Sequence, residues 1–178
     1  MRYLLDGQET ERILFRKIRE SDFNDWLMFF KNPETSTHWI EPVESPEVAC
    51  EKWYAKQFHR YNNNLGGMNA LIEKATGMLI GHCGLLVQTV DGTTELEIGY
   101  SLLPQFWNKG FATEAAQKCK HYAFENNLAA SLISIISVTN TPSENVARKN
   151  SMWLDKTTVY KNNTVNIFRL NRSDWEKD

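Results

Sequence analysis

The first third of the chain shows one apolar strand pattern followed by two helical patterns. Residues 12–18 (RILFRKI) are rich in apolar and β-branched side chains and predict a strand. The next apolar positions recur at the i, i+3, i+4, i+7 spacing of an amphipathic helix opened by Ser21, and they are Phe23, Trp26, Leu27 and Phe30. A second helix is predicted to begin at Ser45-Pro46-Glu47, with serine as cap and proline at the first position, and to run to about Tyr61.

Three strands are predicted in the middle of the chain, over residues 68–74, 78–88 and 93–103. Turn sequences separate them at Ala75-Thr76-Gly77 and Val90-Asp91-Gly92. In the third strand Leu96, Ile98, Tyr100 and Leu102 alternate with Glu95, Glu97, Gly99 and Ser101. The pattern predicts that one face of this strand packs in the core and the other carries two carboxylates.

The last third predicts a helix over residues 110–127 and a strand buried on both faces over residues 131–138. Thr141-Pro142-Ser143-Glu144 has the form of a capping box that starts a short helix. Residues 153–170 are typical of a hairpin turning at Asn162-Asn163. The element order therefore predicts a single mixed α/β domain in which antiparallel strands come first and a strand–helix–strand crossover follows.

Composition limits the classes of partner. The chain has 178 residues, of which 42% are hydrophobic, and a net charge of −2, so we expect one packed domain with no nucleic-acid or membrane partner. Cys50, Cys83 and Cys119 are widely spaced and form no metal-ligand pattern, which favours reduced thiols in the cytoplasm and no metal. The first residues, MRYLLDGQETERILF, resemble neither a signal peptide nor a membrane span.

The stretch QFWNKGFATEA, from Gln105 to Ala115, turns abruptly from a strand into a helix. Gly110 permits a close backbone approach, and Asn108 tolerates a left-handed conformation. Successive N–H groups of residues 108–113, with Lys109 and the Thr113 hydroxyl, would then form an anion-binding site at the positive end of the helix. An ordinary strand-to-helix turn is the alternative. The chain has no P-loop and no GxGxxG motif.

Two longer motifs carry a family resemblance. EIGYSLLPQFWNKGFATEA resembles the acetyl-CoA-binding signature of the GNAT N-acetyltransferase superfamily, closest to the branch that acetylates the N-termini of ribosomal proteins. NTPSENVARKNSM, from Asn140 to Met152, resembles the second signature of that branch. The resemblance covers residues 12–172. It implies a GNAT-like α/β fold, with a largely antiparallel central sheet, splayed middle strands and flanking helices.

The resemblance also implies a set of residues that bind acetyl-CoA as co-substrate. It assigns the pantetheine arm to the backbone of Tyr100, Ser101 and Leu102 and to the Asn140 side chain. It assigns the pyrophosphate to Asn108, Lys109, Gly110, Phe111, Ala112 and Thr113. Lys149 of the second motif joins the cofactor-binding set. Asn108 and Ser151 stand where the family usually has glycine, and we expect Asn150 to be the left-handed cap of the short helix.

For the chemistry, the resemblance makes Glu97 the general base, with Glu95 as the alternative. A solvated strand face is the simpler interpretation of both. Many family members place a tyrosine where this chain has Ala147, so we expect Ser143 to serve the leaving thiolate unless it only caps its helix. Trp39 is the best candidate to line an acceptor pocket, although packing in an aromatic core is the simpler interpretation of the tryptophans in this region.

The function implied by the resemblance is transfer of an acetyl group to a primary amine, with a protein N-terminus as the first candidate acceptor. A non-catalytic CoA-binding module and a small-molecule acetyltransferase acting on an aminoglycoside or a polyamine remain alternatives. The protein is expected to be a monomer or a homodimer.

Overall fold

The computed structural model describes residues 2–38, 40 and 44–176. Its strands are β1 (Ile13–Lys17), β2 (Gly66–Glu73), β3 (Leu79–Val90), β4 (Thr93–Leu102), β5 (Ser131–Ser137), β6 (Trp153–Tyr160) and β7 (Asn163–Asn171). Its helices are α1 (Phe23–Lys31), α2 (Pro46–Asn62), α3 (Phe111–Glu125), α4 (Thr141–Lys149) and α5 (Arg172–Trp175). The predicted element order is confirmed, and only the short α5 was not predicted. None of the described helices is long and apolar enough to cross a membrane.

The seven strands form one sheet in the order β1-β2-β3-β4-β5-β7-β6. Every neighbouring pair is antiparallel except β4 and β5, which are parallel because the α3 crossover joins them. β4 and β5 share one registered pair, Glu97 with Ile133, whereas β3 and β4 pair along ten positions. The predicted splay between the middle strands is therefore confirmed, and it opens from Glu97 towards the C-terminal ends of both strands.

The two faces of the sheet carry different helices. On one face Cys83 of β3 lies 3.5 Å from Cys119 of α3, sulfur to sulfur. On the other face the neighbouring residue His82 packs edge-on against Trp26 of α1, with ring centroids 4.2 Å apart. Because side chains alternate along a strand, and Glu97 pairs with Leu86, Glu97 lies on the α1/α2 face with His82. His82 is fully buried, and burial lowers its pKa to about 3.

The turns of the two hairpins differ in how well the sequence located them. Asp91 and Gly92 form the β3–β4 turn with φ of 48° and 78°, as predicted for an Asp-Gly hairpin. The C-terminal hairpin turns at Lys161-Asn162, with φ of 48° and 63°, so the prediction of Asn162-Asn163 was wrong by one residue. Asn163 instead pairs with Tyr160, and its side-chain oxygen accepts a hydrogen bond from the Ile40 backbone at 2.6 Å.

Both ends of α4 also depart from the predicted capping. The Asn140 side chain accepts from the Ser143 N–H at 3.1 Å, so Asn140 is the cap and the capping box beginning at Thr141 is absent. At the other end Asn150 has φ −95°, whereas Ser151 has φ 64°. Ser151 therefore takes the left-handed position that we had assigned to Asn150.

Candidate functional site

The splay leaves the edge of β4 that faces β5 without strand pairing beyond Glu97. The Ser134 hydroxyl of β5 donates to the Ile98 carbonyl at 2.9 Å, which shows that Ile98 directs its backbone polar groups towards β5. Alternate residues of an antiparallel strand share this direction, so Tyr100 also points its N–H and C=O into the splay. Ser101 directs its backbone towards β3, and the Leu102 carbonyl accepts from the Trp107 indole at 2.8 Å. Tyr100 and Leu102 therefore direct their backbone groups towards the splay, and the Leu102 carbonyl is used by Trp107.

The corner before α3 has the geometry of an anion-binding site. Asn108 and Gly110 are left-handed, with φ of 58° and 83°. The first backbone hydrogen bond of the helix runs from the Glu114 N–H to the Gly110 carbonyl at 3.0 Å. The N–H groups of residues 108–113 find no acceptor in the described part of the chain. These bare donors lie at the positive end of a helix of fifteen residues, as the sequence predicted.

Arg12 supports this corner, a role that no sequence motif predicts. Its guanidinium donates to the Lys109 carbonyl at 3.0 Å and to the Glu114 carboxylate at 2.6 Å. It also lies 4.3 Å from the centroid of the Phe111 ring. Arg12 thus fixes the loop, while Glu114 in the first turn of α3 compensates its charge. Only the tertiary fold reveals this role, because 97 residues separate Arg12 from Lys109.

Glu97 lies at the point where β4 and β5 part. Its Oε2 accepts a hydrogen bond from the Gln88 amide at 2.6 Å, and the Gln88 oxygen accepts from the Tyr160 hydroxyl at 3.1 Å. No described residue donates to Oε1. Burial raises the Glu97 pKa, although Gln88 and the nearby cations oppose that shift. A carboxylate with a raised pKa and a free oxygen can accept a proton from an amine near neutral pH.

Glu95 is in a different position, although it shares the face of Glu97. Its two oxygens accept from the Arg169 guanidinium at 2.7 and 3.2 Å, and Arg169 also donates to Asp155 at 2.8 Å. The side chains of Glu95 and Arg169 are 14% and 16% exposed. Both oxygens of Glu95 are therefore occupied by Arg169, whereas Oε1 of Glu97 has no donor among the described residues.

The N-terminus of α4 brings Tyr100 and Ser143 together. The Tyr100 hydroxyl donates to the Ser143 carbonyl at 2.8 Å, and burial raises the Tyr100 pKa, so the phenol keeps its proton. The Ser143 hydroxyl lies beside the Tyr100 phenol and partly opposes the rise of the Tyr100 pKa. Ala147 is 1% exposed in the main core, and a larger side chain there would disturb the packing. The sequence placed the Tyr100 side chain on the core face of β4 and its backbone at the pantetheine arm, but it did not predict the contact with α4.

Lys149 lies apart from the corner. It lines a cavity of about 410 Å³ with Gln117, Lys120, His121, Ser151 and Trp175. The Asn150 amide, next to it, donates to the Thr113 carbonyl at 3.4 Å. Lys149 therefore lies beside residues 117–121 of α3, while its neighbour Asn150 reaches the first turn of that helix. Trp39, the predicted pocket residue, is outside the described residues, and within those residues no cluster of metal-binding side chains occurs.

Comparison with known proteins gives a consistent family. The profile described as Acetyltransferase (GNAT) domain matches residues 12–152. The uncharacterized N-acetyltransferase YnaD of Bacillus subtilis is 32% identical over 147 residues, which cover 80% of this chain and 80% of YnaD.

Two solved structures share the fold over most of their length. The ribosomal-protein-S5-alanine acetyltransferase of Vibrio fischeri superposes with a TM-score of 0.72 at 18% identity, covering 94% of this chain and 97% of its own. The spermidine N-acetyltransferase of Vibrio cholerae, in complex with CoA and spermine, has a TM-score of 0.72 at 18% identity and covers 94% and 99%.

Proposed function

This chain belongs to the GNAT family and is an N-acetyltransferase, and we propose that it transfers the acetyl group of acetyl-CoA to the α-amine of a protein N-terminus. The observation that carries the proposal is the position of Glu97 at the opening between β4 and β5. There, a carboxylate with a raised pKa lies next to the strand edge that exposes the Tyr100 backbone. The three buried free thiols are consistent with the predicted cytoplasmic location, which stays a prediction.

The residues of the splay and of the α3 corner suit the two ends of acetyl-CoA. The bare N–H groups of residues 108–113, with Arg12 and Lys109 near them, would hold the pyrophosphate. The Tyr100 backbone and the Asn140 side chain would hold the pantetheine arm. Asn140 would use its side-chain nitrogen, because its side-chain oxygen already caps α4. When bound, acetyl-CoA supplies an activated acyl group, and the chain supplies position and proton transfer.

Glu97 is the proposed general base. A peptide α-amine has a pKa of about 7.7–8.0, so a large fraction is protonated near neutral pH and must lose a proton before it attacks. The free Oε1 of Glu97 can take that proton directly or through one water. The raised pKa of Glu97 brings the carboxylate nearer to the pKa of the amine, which is what efficient proton transfer requires.

The start of α4 is proposed to stabilise the departing thiolate. The Ser143 hydroxyl is proposed to donate to the sulfur, with the positive end of the helix dipole behind it. The Tyr100 phenol holds the Ser143 carbonyl and so fixes the first turn of α4 next to the splay. Ser143 is proposed to act here without a tyrosine on α4, since Ala147 has no donor.

An acetyl-transfer assay with a panel of acceptors tests the proposal. The release of free thiol from acetyl-CoA would be followed with N-terminal peptides, lysine amides, spermidine and an aminoglycoside. We expect the highest kcat/KM with peptides that have a free α-amine, and none with the same peptides after N-terminal blocking. Higher kcat/KM with spermidine or the aminoglycoside than with every peptide would refute a protein N-terminus as the acceptor.

A further inference from the structure

The Gln88 amide joins the proposed base to a tyrosine on a distant strand. Gln88 pairs with Glu95 in the β3–β4 ladder, so Glu97 is its diagonal neighbour on the same face of the sheet. The amide Nε2 lies 2.6 Å from Oε2 of Glu97, and the amide Oε1 lies 3.1 Å from the hydroxyl of Tyr160 on β6. Both ends of the amide therefore have a partner. We call Glu97, Gln88 and Tyr160 the amide bridge.

Tyr160 is held in place independently of Gln88. Its backbone pairs with Asn163 at the last position of the β6–β7 hairpin, and the Asn163 amide donates to the Lys161 carbonyl at 2.8 Å inside the turn. Its ring packs against a small apolar group on this face of the sheet, formed by Val90, Ile133, Ile135, Val165 and Ile167. Packing and the turn therefore fix the phenol, and the hydroxyl determines which end of the Gln88 amide faces it.

The chemistry of the amide bridge favours one orientation of Gln88. An ionised carboxylate only accepts hydrogen bonds, so Gln88 must direct its NH₂ group at Glu97 and its oxygen at Tyr160. If the amide turned by half a rotation, its oxygen would face the carboxylate, and the Tyr160 proton would lose the acceptor that it has in the described structure. The Tyr160 hydroxyl therefore stabilises the orientation that donates to ionised Glu97.

The electrostatics of Glu97 agree with this geometry. Burial raises the Glu97 pKa, and the hydrogen bond from Gln88 lowers it. A group that fixes Gln88 thus keeps more of Glu97 in the ionised form that accepts a proton. The titratable groups that act on Glu97 from other parts of the described chain are Lys56 and Arg60 of α2, Lys161 of the β6–β7 turn and Tyr100 of β4, and the Glu95–Arg169 ion pair lies beside it.

We propose that Tyr160 is a positioning residue for acetyl transfer, whose hydroxyl holds the Gln88 amide so that Nε2 donates to Oε2 of Glu97 and leaves Oε1 for the amine. The proposal rests on the proposed function, in which Glu97 is the base. The proton moves from the amine nitrogen to Oε1 of Glu97, and neither Gln88 nor Tyr160 gains or loses one. Tyr160 therefore acts on the reaction only through Gln88.

The pH dependence of Tyr160→Phe tests this role, measured with the amine of the acceptor panel that gives the highest kcat/KM. The variant keeps the ring and removes only the hydroxyl, so the thermal shift produced by CoA should be unchanged. We expect kcat/KM to fall about tenfold at about pH 6 and by less at about pH 9, because the Glu97 pKa rises when Gln88 is no longer held. The matched control is Tyr122→Phe on α3, which packs on the other face of the sheet and should keep the wild-type profile.

Gln88→Leu removes the amide through which Tyr160 is proposed to act. It should change the pH profile in the same direction and at least as strongly, and Tyr160→Phe should have no further effect in that background. A wild-type profile in Tyr160→Phe, a loss that is equal at every pH, or effects of the two substitutions that multiply would each overturn the positioning role.

The failure of this proposal is distinguishable from the failure of the proposed base. Loss of turnover in Glu97→Gln, together with a wild-type pH profile in Tyr160→Phe, keeps Glu97 as the base and removes the role of Tyr160. Wild-type turnover in Glu97→Gln overturns both. Carbon NMR of the Glu97 carboxyl group, assigned with Glu97→Gln, measures its pKa without turnover. An unchanged Glu97 pKa in Tyr160→Phe overturns the proposal even if no amine is acetylated.

Discussion

The α3 corner and the surroundings of Glu97 are built in opposite ways. The corner uses main-chain N–H groups from one short stretch, and its shape depends on two left-handed residues, Asn108 and Gly110. The surroundings of Glu97 use side chains from α2, β3 and the β6–β7 turn, among them Arg60, Gln88 and Lys161. A backbone site changes little when a surface side chain changes, whereas a side-chain site can adapt to a new acceptor. The difference suggests why a family could keep its cofactor and vary its acceptor.

Glu97→Gln gives the largest expected loss of turnover. Removing a general base lowers kcat by about 10²–10⁴-fold, while the thermal shift produced by CoA should stay nearly unchanged because the corner is intact. Glu95→Gln is the matched control on the same face. Wild-type turnover in Glu97→Gln would move proton transfer to water and end the assignment of Glu97.

The pH profile sharpens the same assignment. Burial raises the Glu97 pKa, and only the deprotonated carboxylate accepts a proton, so kcat/KM should rise with pH through a value above the ordinary glutamate range. In Glu97→Gln, the part of the rise in kcat/KM that Glu97 causes should disappear. The remaining pH dependence should reflect only the ionisation of the acceptor amine. An identical profile for both proteins would contradict the prediction.

Gly110→Val tests the backbone site. The left-handed φ of 83° strains a β-branched residue, and the new Cβ would lie 3.3 Å from the Arg12 guanidinium. Strain of about 1–3 kcal/mol or a displaced loop should weaken CoA binding by about tenfold or more, measured by calorimetry. Gly77→Val is the control, since Gly77 has a φ of 71° with open space around it. Equal CoA affinity in both variants would show that the corner does not bind the cofactor.

Ser143→Ala should lower turnover less than Glu97→Gln does, and it should leave CoA binding intact, unlike Gly110→Val. Turnover should fall about tenfold, which is ~1.4 kcal/mol of barrier, because the helix dipole still acts on the thiolate. The melting temperature should barely change, since Asn140 caps the helix. Ser143→Thr keeps the hydroxyl and should retain more activity. Full activity in Ser143→Ala would show that the serine has no role in catalysis and serves only in the first turn of α4.

Glu95→Gln should change turnover least and stability most clearly. It removes a charge from the Glu95–Arg169 pair, whose side chains are mostly buried, so unfolding free energy should fall by about 1–3 kcal/mol. Denaturant unfolding measures that loss. A fall in kcat comparable to that of Glu97→Gln, in folded protein, would restore Glu95 as the base.

The sequence by itself determined the local parts of this protein. Hydrophobic periodicity predicted the order of strands and helices, and the Asn-Lys-Gly corner predicted the bare N–H groups, because both depend on neighbouring residues. Alternation along β4 placed Glu97 on the face opposite the core. The two motifs that run from Glu97 to Ala115 and from Asn140 to Met152 were sufficient to indicate the family, which the comparisons confirmed.

The tertiary structure decided everything that joins distant residues. It separated Glu95 from Glu97 by pairing Glu95 with Arg169, 74 residues away, and it placed Arg12 at the α3 corner. It moved the last turn to Lys161-Asn162, because Asn163 holds the Ile40 backbone across 123 residues. Such contacts follow from long-range packing, and the local pattern of apolar and polar residues does not specify which distant residues meet.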